Sequence, residues 1–269
     1  MNNLHRKLAP ISEGAWAQME EEAARTLKRH LAARRVVDVV GPKGFDLSCV
    51  GTGHVRDIKP PADGIQASLR DVKAIVELRV PFELTRSAVD SVERGANDPD
   101  LQPLKDAART IAYGEDRAIF EGYEAAGIPG IHRGTSNKAV TLPADVDNYA
   151  AAVALAVSRL REAGVNGPYS LLLGEHAYTQ VSGATGQGYP VAKDIRNVVD
   201  GEVIWAPAIK GGVVLSTRGG DFELHLGQDF SMGYLSHSDR AIQLYLQETF
   251  TFLHLTAEAA VMLTAHGKE

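Results

Sequence analysis

The segment of residues 72–95, VKAIVELRVPFELTRSAVDSVERG, decides the fold of this chain. Apolar side chains occupy every second position of its first half, and charged or polar ones fill most of the gaps; the apolar ones are Val72, Ala74, Val76, Leu78, Val80, Phe82 and Leu84. A period of two predicts a long β-strand with one buried and one solvated face. Because Pro81 has no N–H to donate, part of this strand is expected at a sheet edge or a bulge.

The stretch before this strand is rich in Gly, Pro and charge and offers no face for burial. It covers residues 51–70, GTGHVRDIKPPADGIQASLR. Irregular segments of this length are rare in compact monomers. We therefore expect it to pack on another copy of the chain, which is the first indication of an assembly protein rather than an enzyme.

Composition limits the classes of function. The 269 residues suffice for a large core, as one domain or two closely joined ones. A net charge of -6, with no dense basic patch, gives no footprint for nucleic acid. Cys49 is the only cysteine, which excludes intramolecular disulfides and cysteine metal clusters. The chain has no apolar run of the ~20 residues that span a bilayer and no secretory h-region at its start, so we expect no membrane partner and a cytoplasmic location.

Helical periodicity begins near the N-terminus. Ser12 is a candidate N-cap, and residues 13–33 carry one apolar stripe, formed by Trp16, Met19, Ala23, Leu27 and Leu31. This stripe fits either packing on the domain's own core or a partly exposed groove for a partner segment. Long helices are also expected over residues 100–126 and from an Asp145 cap to residue 164, with mostly strands and short helices after Tyr169. Helices interrupted by strands from distant parts of the sequence predict an α+β fold.

Catalytic motifs are nearly absent from the sequence. There is no H-E-x-x-H, C-x-x-C or P-loop lysine motif, and Ser182 lacks the flanking glycines of a nucleophile elbow. The pair Glu115 and Asp116 lies inside a predicted helix. Two carboxylates there fit acid–base work, but pairing with Arg109 or Arg117 at helical spacing is the simpler interpretation. We therefore expect no catalytic residues and no metal site.

Short blocks in order along nearly the whole chain are distinctive in combination. They are Leu8-Ala9-Pro10 with Trp16; Arg34-Arg35-Val36-Val37-Asp38-Val39; Leu78-Arg79-Val80-Pro81-Phe82-Glu83-Leu84 with Glu93-Arg94-Gly95; Gly167-Pro168-Tyr169; Gly219-Gly220-Asp221-Phe222 with Gly227-Gln228-Asp229; and Glu248-Thr249-Phe250-Thr251-Phe252. Together they resemble the blocks of the encapsulin shell proteins, also called linocin-type bacteriocins. The resemblance is global, without a large insertion.

The resemblance implies the fold of tailed-phage major capsid proteins, the Hong Kong 97 type, with a peripheral domain, an axial domain and an extended loop. Residues 1–46 would hold the N-terminal helix and the start of the peripheral domain, and residues 47–70 the extended loop. The peripheral domain would continue over 71–129 and return over 217–269, with the axial domain at 130–216. The spine helix would be the 145–163 helix or the helix before it.

The function implied is assembly of many copies of the chain into a closed icosahedral nanocompartment around cargo enzymes. Such cargo, often a dye-decolourising peroxidase or a ferritin-like iron-storage protein, carries a C-terminal targeting peptide that docks on the inner wall. By position, the residues that would bind this peptide are Leu27, Leu31, Arg34, Asp38, Phe230 and Tyr234.

The resemblance also implies a pore at the five-fold axis and, in some relatives, a flavin. The loop lining the pore would comprise Ala184, Thr185, Gly186, Gln187, Gly188 and Tyr189. Relatives that carry flavin place an aromatic near the base of the extended loop, where this chain has Thr85, Arg86 and Ser87. We therefore expect no flavin and no other cofactor.

Two alternatives differ in the features that they require. A viral capsid protein of the same fold would favour an N-terminal scaffolding or cleaved extension, whereas here the first helix is expected within a dozen residues of Met1. A hydrolytic enzyme, which the bacteriocin name suggests, would need a nucleophile and a base, and the sequence shows no such constellation.

Overall fold

The computed structural model describes residues 3–186 and 189–265 of the chain. The helices in these residues are α1 (Glu13–His30), α2 (Arg86–Glu93), α3 (Gln102–Phe120), α4 (Gly130–Gly134), α5 (Tyr149–Glu162), α6 (Glu175–Gly183) and α7 (Val191–Val198). Short 3-10 turns cover Arg6–Leu8, Ala33–Arg35, Glu124–Ala126 and Val146–Asn148.

The strands alternate with these helices along the chain. They are β1 (Asp38–Val40), β2 (Cys49–Ile58), β3 (Ala67–Ala74), β4 (Val76–Thr85), β5 (Val140–Thr141), β6 (Tyr169–Leu173), β7 (Thr185–Gly186), β8 (Tyr189–Pro190), β9 (Val203–Trp205), β10 (Gly212–Ser216), β11 (Phe222–Leu226), β12 (Ser231–His237), β13 (Ala241–His254) and β14 (Ala260–Thr264). The mixture confirms the α+β prediction.

The first sheet is built around the long strand β13. Strands β11 and β12 pair with successive parts of one side of β13, and β1 flanks β11. On the other side of β13, β4 is paired along the whole length of β4. Within the described residues β4 has no further neighbour in this sheet, so it is an edge strand. Pro81 lies there opposite Tyr245, as its missing N–H predicts.

The alternating segment is not one strand, contrary to the sequence prediction. Its first positions, Val72 and Ala74, belong to β3, which pairs with β2, and the strand in the first sheet starts at Val76. Val72 is 49% exposed because β3 projects away from the layer that covers the alternate positions of β4. Alternation alone does not separate two consecutive strands, because both have the same period.

Strands β2 and β3 form an exposed hairpin where the sequence predicts the excursion. None of residues 49–74 is buried. Several of its large apolar side chains face solvent: Val55, Ile58, Ile65, Leu69 and Val72. A two-stranded hairpin with no covering layer is marginal in water. Packing of this hairpin on another copy therefore stays a prediction, and these exposed apolar side chains are the ones expected to make the contact.

The second sheet has the order β5-β14-β10-β6-β9 and carries α5 on one side. Leu171, Leu172 and Leu173 in β6 are fully buried at its centre. The last strand, β14, pairs with β10 in this sheet, so residues 217–264 are shared between the two sheets. They do not return as one piece to the sheet of the long strand, since Ala260 and Val261 complete the apolar core of the second sheet.

Helix α1 begins as the sequence predicts and ends earlier. The Ser12 hydroxyl accepts a hydrogen bond from the N–H of Ala15 at 3.1 Å, which confirms the cap. Helix α1 ends at His30 rather than residue 33, because the N–H groups of Ala32 and Ala33 donate to the Asp116 carboxylate instead of to helical carbonyls.

The other two long helices are also shorter than predicted. Helix α3 ends at Phe120, before Gly122 takes a positive φ of 97°. Asp145 caps the 3-10 turn Val146–Asn148 by accepting from the N–H of Asp147, so α5 starts only at Tyr149. Of the two candidate spine helices, α3 lies between α1 and the first sheet, whereas α5 packs on the second.

Candidate functional site

A cleft of about 850 Å³ opens between α1 and β12. Its floor is apolar and consists of Ala23, Leu27, Leu31, Met232 and Leu246. Leu27 and Leu31 are 7% and 8% exposed, because their other sides pack in the core shared by α1, α3 and the first sheet. The helical stripe therefore combines the two interpretations left open by the sequence. Most of its surface packs in the domain's own core, and its edge lines a cleft.

Four of the six residues predicted for peptide binding line this cleft. Leu27 and Leu31 lie in the floor, and Arg34 and Phe230 form one wall. Two segments about 200 residues apart bring them together. The first is α1 with the turn after it, and the second is the residue just before β12.

Asp38 and Tyr234 lie outside the cleft lining. The Asp38 carboxylate accepts the N–H of Gly220 at 2.6 Å and so holds the turn that leads into β11. The half-buried Tyr234 packs on the same apolar cluster as the cleft floor, and its hydroxyl is 2.5 Å from Nδ1 of His237. The structure thus gives Asp38 a partner within its own chain, where the sequence predicted a contact to peptide.

The guanidinium of Arg34 is held by carboxylates from two distant parts of the chain. Its Nε and Nη2 donate to Glu115 of α3, with the shortest contact at 2.6 Å, and its Nη1 donates to Asp229 at 2.8 Å. Its Cζ also lies 4.4 Å from the centroid of the Phe230 ring. A bidentate ion pair and a cation–π contact together define both the plane and the position of the guanidinium.

Three carboxyl groups below this wall are fully buried: Glu115, Asp116 and Glu248. The expected pairing of Glu115 or Asp116 with Arg109 or Arg117 is wrong. Arg109 pairs with Asp106 at 2.9 Å, and Arg117 donates to the carbonyl of Ala208. Both carboxylates instead point away from their own helix, toward residues 32–34, because only there do buried donors meet them.

Burial controls the protonation of this cluster. Burial raises the pKa of Asp116 to about 7, although the hydrogen bonds from Ala32 and Ala33 oppose that shift. Burial and the nearby charge of Glu115 raise the pKa of Glu248 well above its usual value. The pKa of Arg34 is raised above the ordinary value for arginine, because desolvation, which lowers it, is outweighed by the hydrogen bond to Glu115. Burial therefore favours the neutral form of Glu248, whereas Arg34, paired with Glu115, stays charged.

The rim of the cleft is charged on the side of α1. Arg6 pairs with Glu20 at 2.5 Å, and Arg35 pairs with Glu202 at the same distance. Ala24 and Lys28 are exposed on the outer edge of the helix. An apolar floor with a polar rim can hold an extended peptide that presents apolar side chains. Within residues 3–186 and 189–265, no three His, Cys, Asp or Glu side chains are arranged so that they could hold a metal ion.

The segment predicted as the pore loop is described only in part. Thr185–Gly186 pairs with Tyr189–Pro190 in a small hairpin. Ala184, before it, packs partly against the core of the second sheet. Gln187 and Gly188 lie outside the described residues.

Thr85, Arg86 and Ser87, at the position where some relatives carry an aromatic against a flavin, form the junction of β4 and α2. The hydroxyl of Thr85 accepts the N–H of Ala88 at 3.1 Å and caps α2, and the N–H of Arg86 donates to the carbonyl of Arg240. Ser87 follows in the first turn of α2. The absence of a flavin stays a prediction from the sequence.

Comparison with known proteins assigns the family. Residues 1–251 match the model of a family described as "Encapsulating protein for peroxidase". A type 1 encapsulin shell protein of Rhodococcus erythropolis is 57% identical over 98% of this chain and all of its own length. The chain belongs to the encapsulin shell-protein family. Encapsulin shell proteins are structural subunits, and many copies of them form a nanocompartment.

Solved structures show the same fold at low sequence identity. A virus-like particle from Pyrococcus furiosus aligns with a TM-score of 0.65 at 13% identity, covering 91% of this chain and 97% of that one. The capsid of the Myoviridae phage XM1 aligns with a TM-score of 0.54 at 12% identity, covering 88% and 92%. The predicted phage-capsid fold of this encapsulin shell protein is thereby confirmed. None of the helices in its described residues is long and apolar enough to cross a membrane.

Proposed function

We propose that the cleft between α1 and β12 captures the C-terminal targeting peptide of a cargo protein on the inner wall of the shell. The observation that carries the proposal is the placement of Leu27 and Leu31 in the cleft floor. They are one helical turn apart, about 6 Å along the axis. Alternate side chains of an extended strand are about 6.6 Å apart. Two side chains on one face of an extended peptide therefore match the two leucines.

The size and chemistry of the cleft support the same proposal. About 850 Å³ lies toward the upper end of the range for ligand pockets and is enough room for a short peptide segment. Phe230 gives an aromatic wall, and Arg34 presents its guanidinium beside it. Of the five N–H groups of Arg34, four are used by the acidic partners within the described residues, which leaves one on Nη1 for a peptide carbonyl.

The class of cargo follows from the family. The matching family is described as an encapsulating protein for peroxidase, which supports a dye-decolourising peroxidase as cargo. A ferritin-like protein, which the resemblance implies, is the second candidate. In this scheme the unit around α3 and the first sheet is the peripheral domain and the unit around α5 is the axial domain. The exposed hairpin of β2 and β3 reaches a neighbouring subunit, and the loop at 184–189 lines the five-fold pore.

Co-expression with a tagged reporter tests cargo capture. Two green fluorescent proteins would carry the C-terminal segment of an encapsulated dye-decolourising peroxidase or of an encapsulated ferritin-like protein, and a third would carry none. We expect at least one tagged reporter to co-purify with closed particles and to resist added protease, while the untagged one does not. Equal retention of tagged and untagged reporters would remove the basis for the proposal.

A further inference from the structure

The part of the cleft formed by Leu31 and Arg34 lies beyond the end of α1. The last helical hydrogen bond runs from the N–H of Leu31 to the carbonyl of Leu27 at 2.9 Å. Helix geometry therefore does not determine where the Arg34 side chain lies. Its place must be set by other contacts, and the bidentate one comes from Glu115 of α3.

Two consecutive residues of α3 hold this segment from below. Asp116 accepts the N–H groups of Ala32 and Ala33 at 2.9 and 3.0 Å, which fixes the backbone. Glu115 receives Nε and Nη2 of Arg34, which fixes the side chain. Both carboxyl groups are fully buried and neither lines the cleft.

We propose that Glu115 is a positioning residue of the cleft, which acts through Arg34 and holds its guanidinium against Phe230 in the arrangement that receives the peptide. This inference rests on the proposed capture of cargo by the cleft. Preorganisation of this kind increases affinity because the peptide does not have to order the wall on binding.

Removing the charge of Glu115 moves Arg34 without leaving it unpaired. Glu248 lies behind it, with Oε2 at 3.4 Å from Nη2 of Arg34, and its Oε1 has no hydrogen-bond partner. Glu115 is one cause of the raised pKa of Glu248. In Glu115→Gln, a neutral amide replaces the carboxylate that receives Nε and Nη2, so Arg34 loses its main anchor against Phe230 and keeps Asp229 and Glu248 as partners. We therefore expect the subunit to fold and the wall of the cleft to change.

Arg35 provides a matched control. It also lines the cleft and also pairs with a glutamate, but the pair with Glu202 is exposed, with side chains 49% and 63% exposed. Solvent screens such a pair, so its loss has little effect. Glu202→Gln is thus the same chemical change on the neighbouring arginine, without the buried position.

The test compares reporter capture in variants that still form shells. Shells would be reassembled with a graded concentration of green fluorescent protein carrying the peroxidase C-terminal segment, and the half-saturating concentration would be measured. We expect Glu115→Gln to raise it roughly ten-fold, within the range found for residues that act on a site without touching the ligand, and Glu202→Gln to leave it within two-fold.

A double-mutant cycle separates positioning from general stability. If Glu115 acts through Arg34, the double variant Arg34→Met with Glu115→Gln captures the reporter as Arg34→Met alone does. The double variant lacks both charges, so its folding is least at risk. Two outcomes overturn the inference and leave the proposed function intact. One is an equal loss of capture in both backgrounds, and the other is no loss in Glu115→Gln while the unmodified shell captures the reporter. If the unmodified shell does not capture the reporter, the proposed function fails and this inference fails with it.

Discussion

Filling the cleft from its outer edge gives the sharpest prediction about capture. Ala24 lies on α1, one turn before Leu27 and Lys28, exposed and in the cleft lining. Ala24→Tyr places an aromatic ring where one apolar anchor of the peptide would lie, without altering any core residue. The loss of one leucine-sized anchor costs about 1.5–3 kcal/mol. That corresponds to roughly a ten- to hundred-fold weaker affinity.

The assay measures reporter fluorescence per shell after size-exclusion chromatography, at a reporter concentration near half-saturation for the unmodified protein. Arg25→Tyr is the matched control, because Arg25 is the next residue of the same exposed helix and does not line the cleft. We expect normal particles from both variants and depleted reporter only in Ala24→Tyr. Normal loading of Ala24→Tyr shells would refute the reasoning, and so would an equal loss in both.

Three further outcomes follow from burial and charge. Deletion of residues 52–66 should abolish closed particles while leaving the subunit's circular dichroism and melting nearly unchanged, since none of these residues is buried; normal shells by negative-stain microscopy would contradict this. Leu31→Asp should prevent recovery of soluble subunit, because Leu31 is 8% exposed and the change buries an unpaired carboxylate. Intact shells would show instead that the new carboxylate reaches solvent in the cleft. The raised pKa of Asp116 means that the native chain holds a proton that the unfolded chain releases, so the free energy of unfolding should fall as pH rises from about 4 to about 7, by up to about 1.4 kcal/mol per pH unit. Melting temperatures at several pH values should show that slope reduced in Asp116→Asn, and an unchanged slope would assign the proton elsewhere.

Local patterns predicted those elements that depend on local chemistry. The cap at Ser12 and the edge position of Pro81 follow from single residues, and the structure has both. The break between β3 and β4 does not, because alternation continues across Ile75 while the partner strand changes from β2 to β13. Only the pairing of distant strands decides that boundary.

The candidate site was predictable to the extent that it lies on one helix. Leu27 and Leu31 stand out at helical spacing, although spacing does not tell core from cleft, and here the two leucines are both. The contacts that shape the wall join Arg34 to residues 81 and 214 positions away, Glu115 and Glu248. No periodicity in the sequence links such positions. The predicted pairing of Glu115 within its own helix was wrong for this reason.

Cryo-electron microscopy of shells reassembled with the tagged reporter tests the central claim most directly. We expect closed icosahedral particles in which extended peptide density lies between α1 and β12, over Leu27 and Leu31 and beside Phe230, on the lumenal side of every occupied subunit. Shells that retain the tagged reporter with this cleft empty, or with the cleft facing outward, would contradict it.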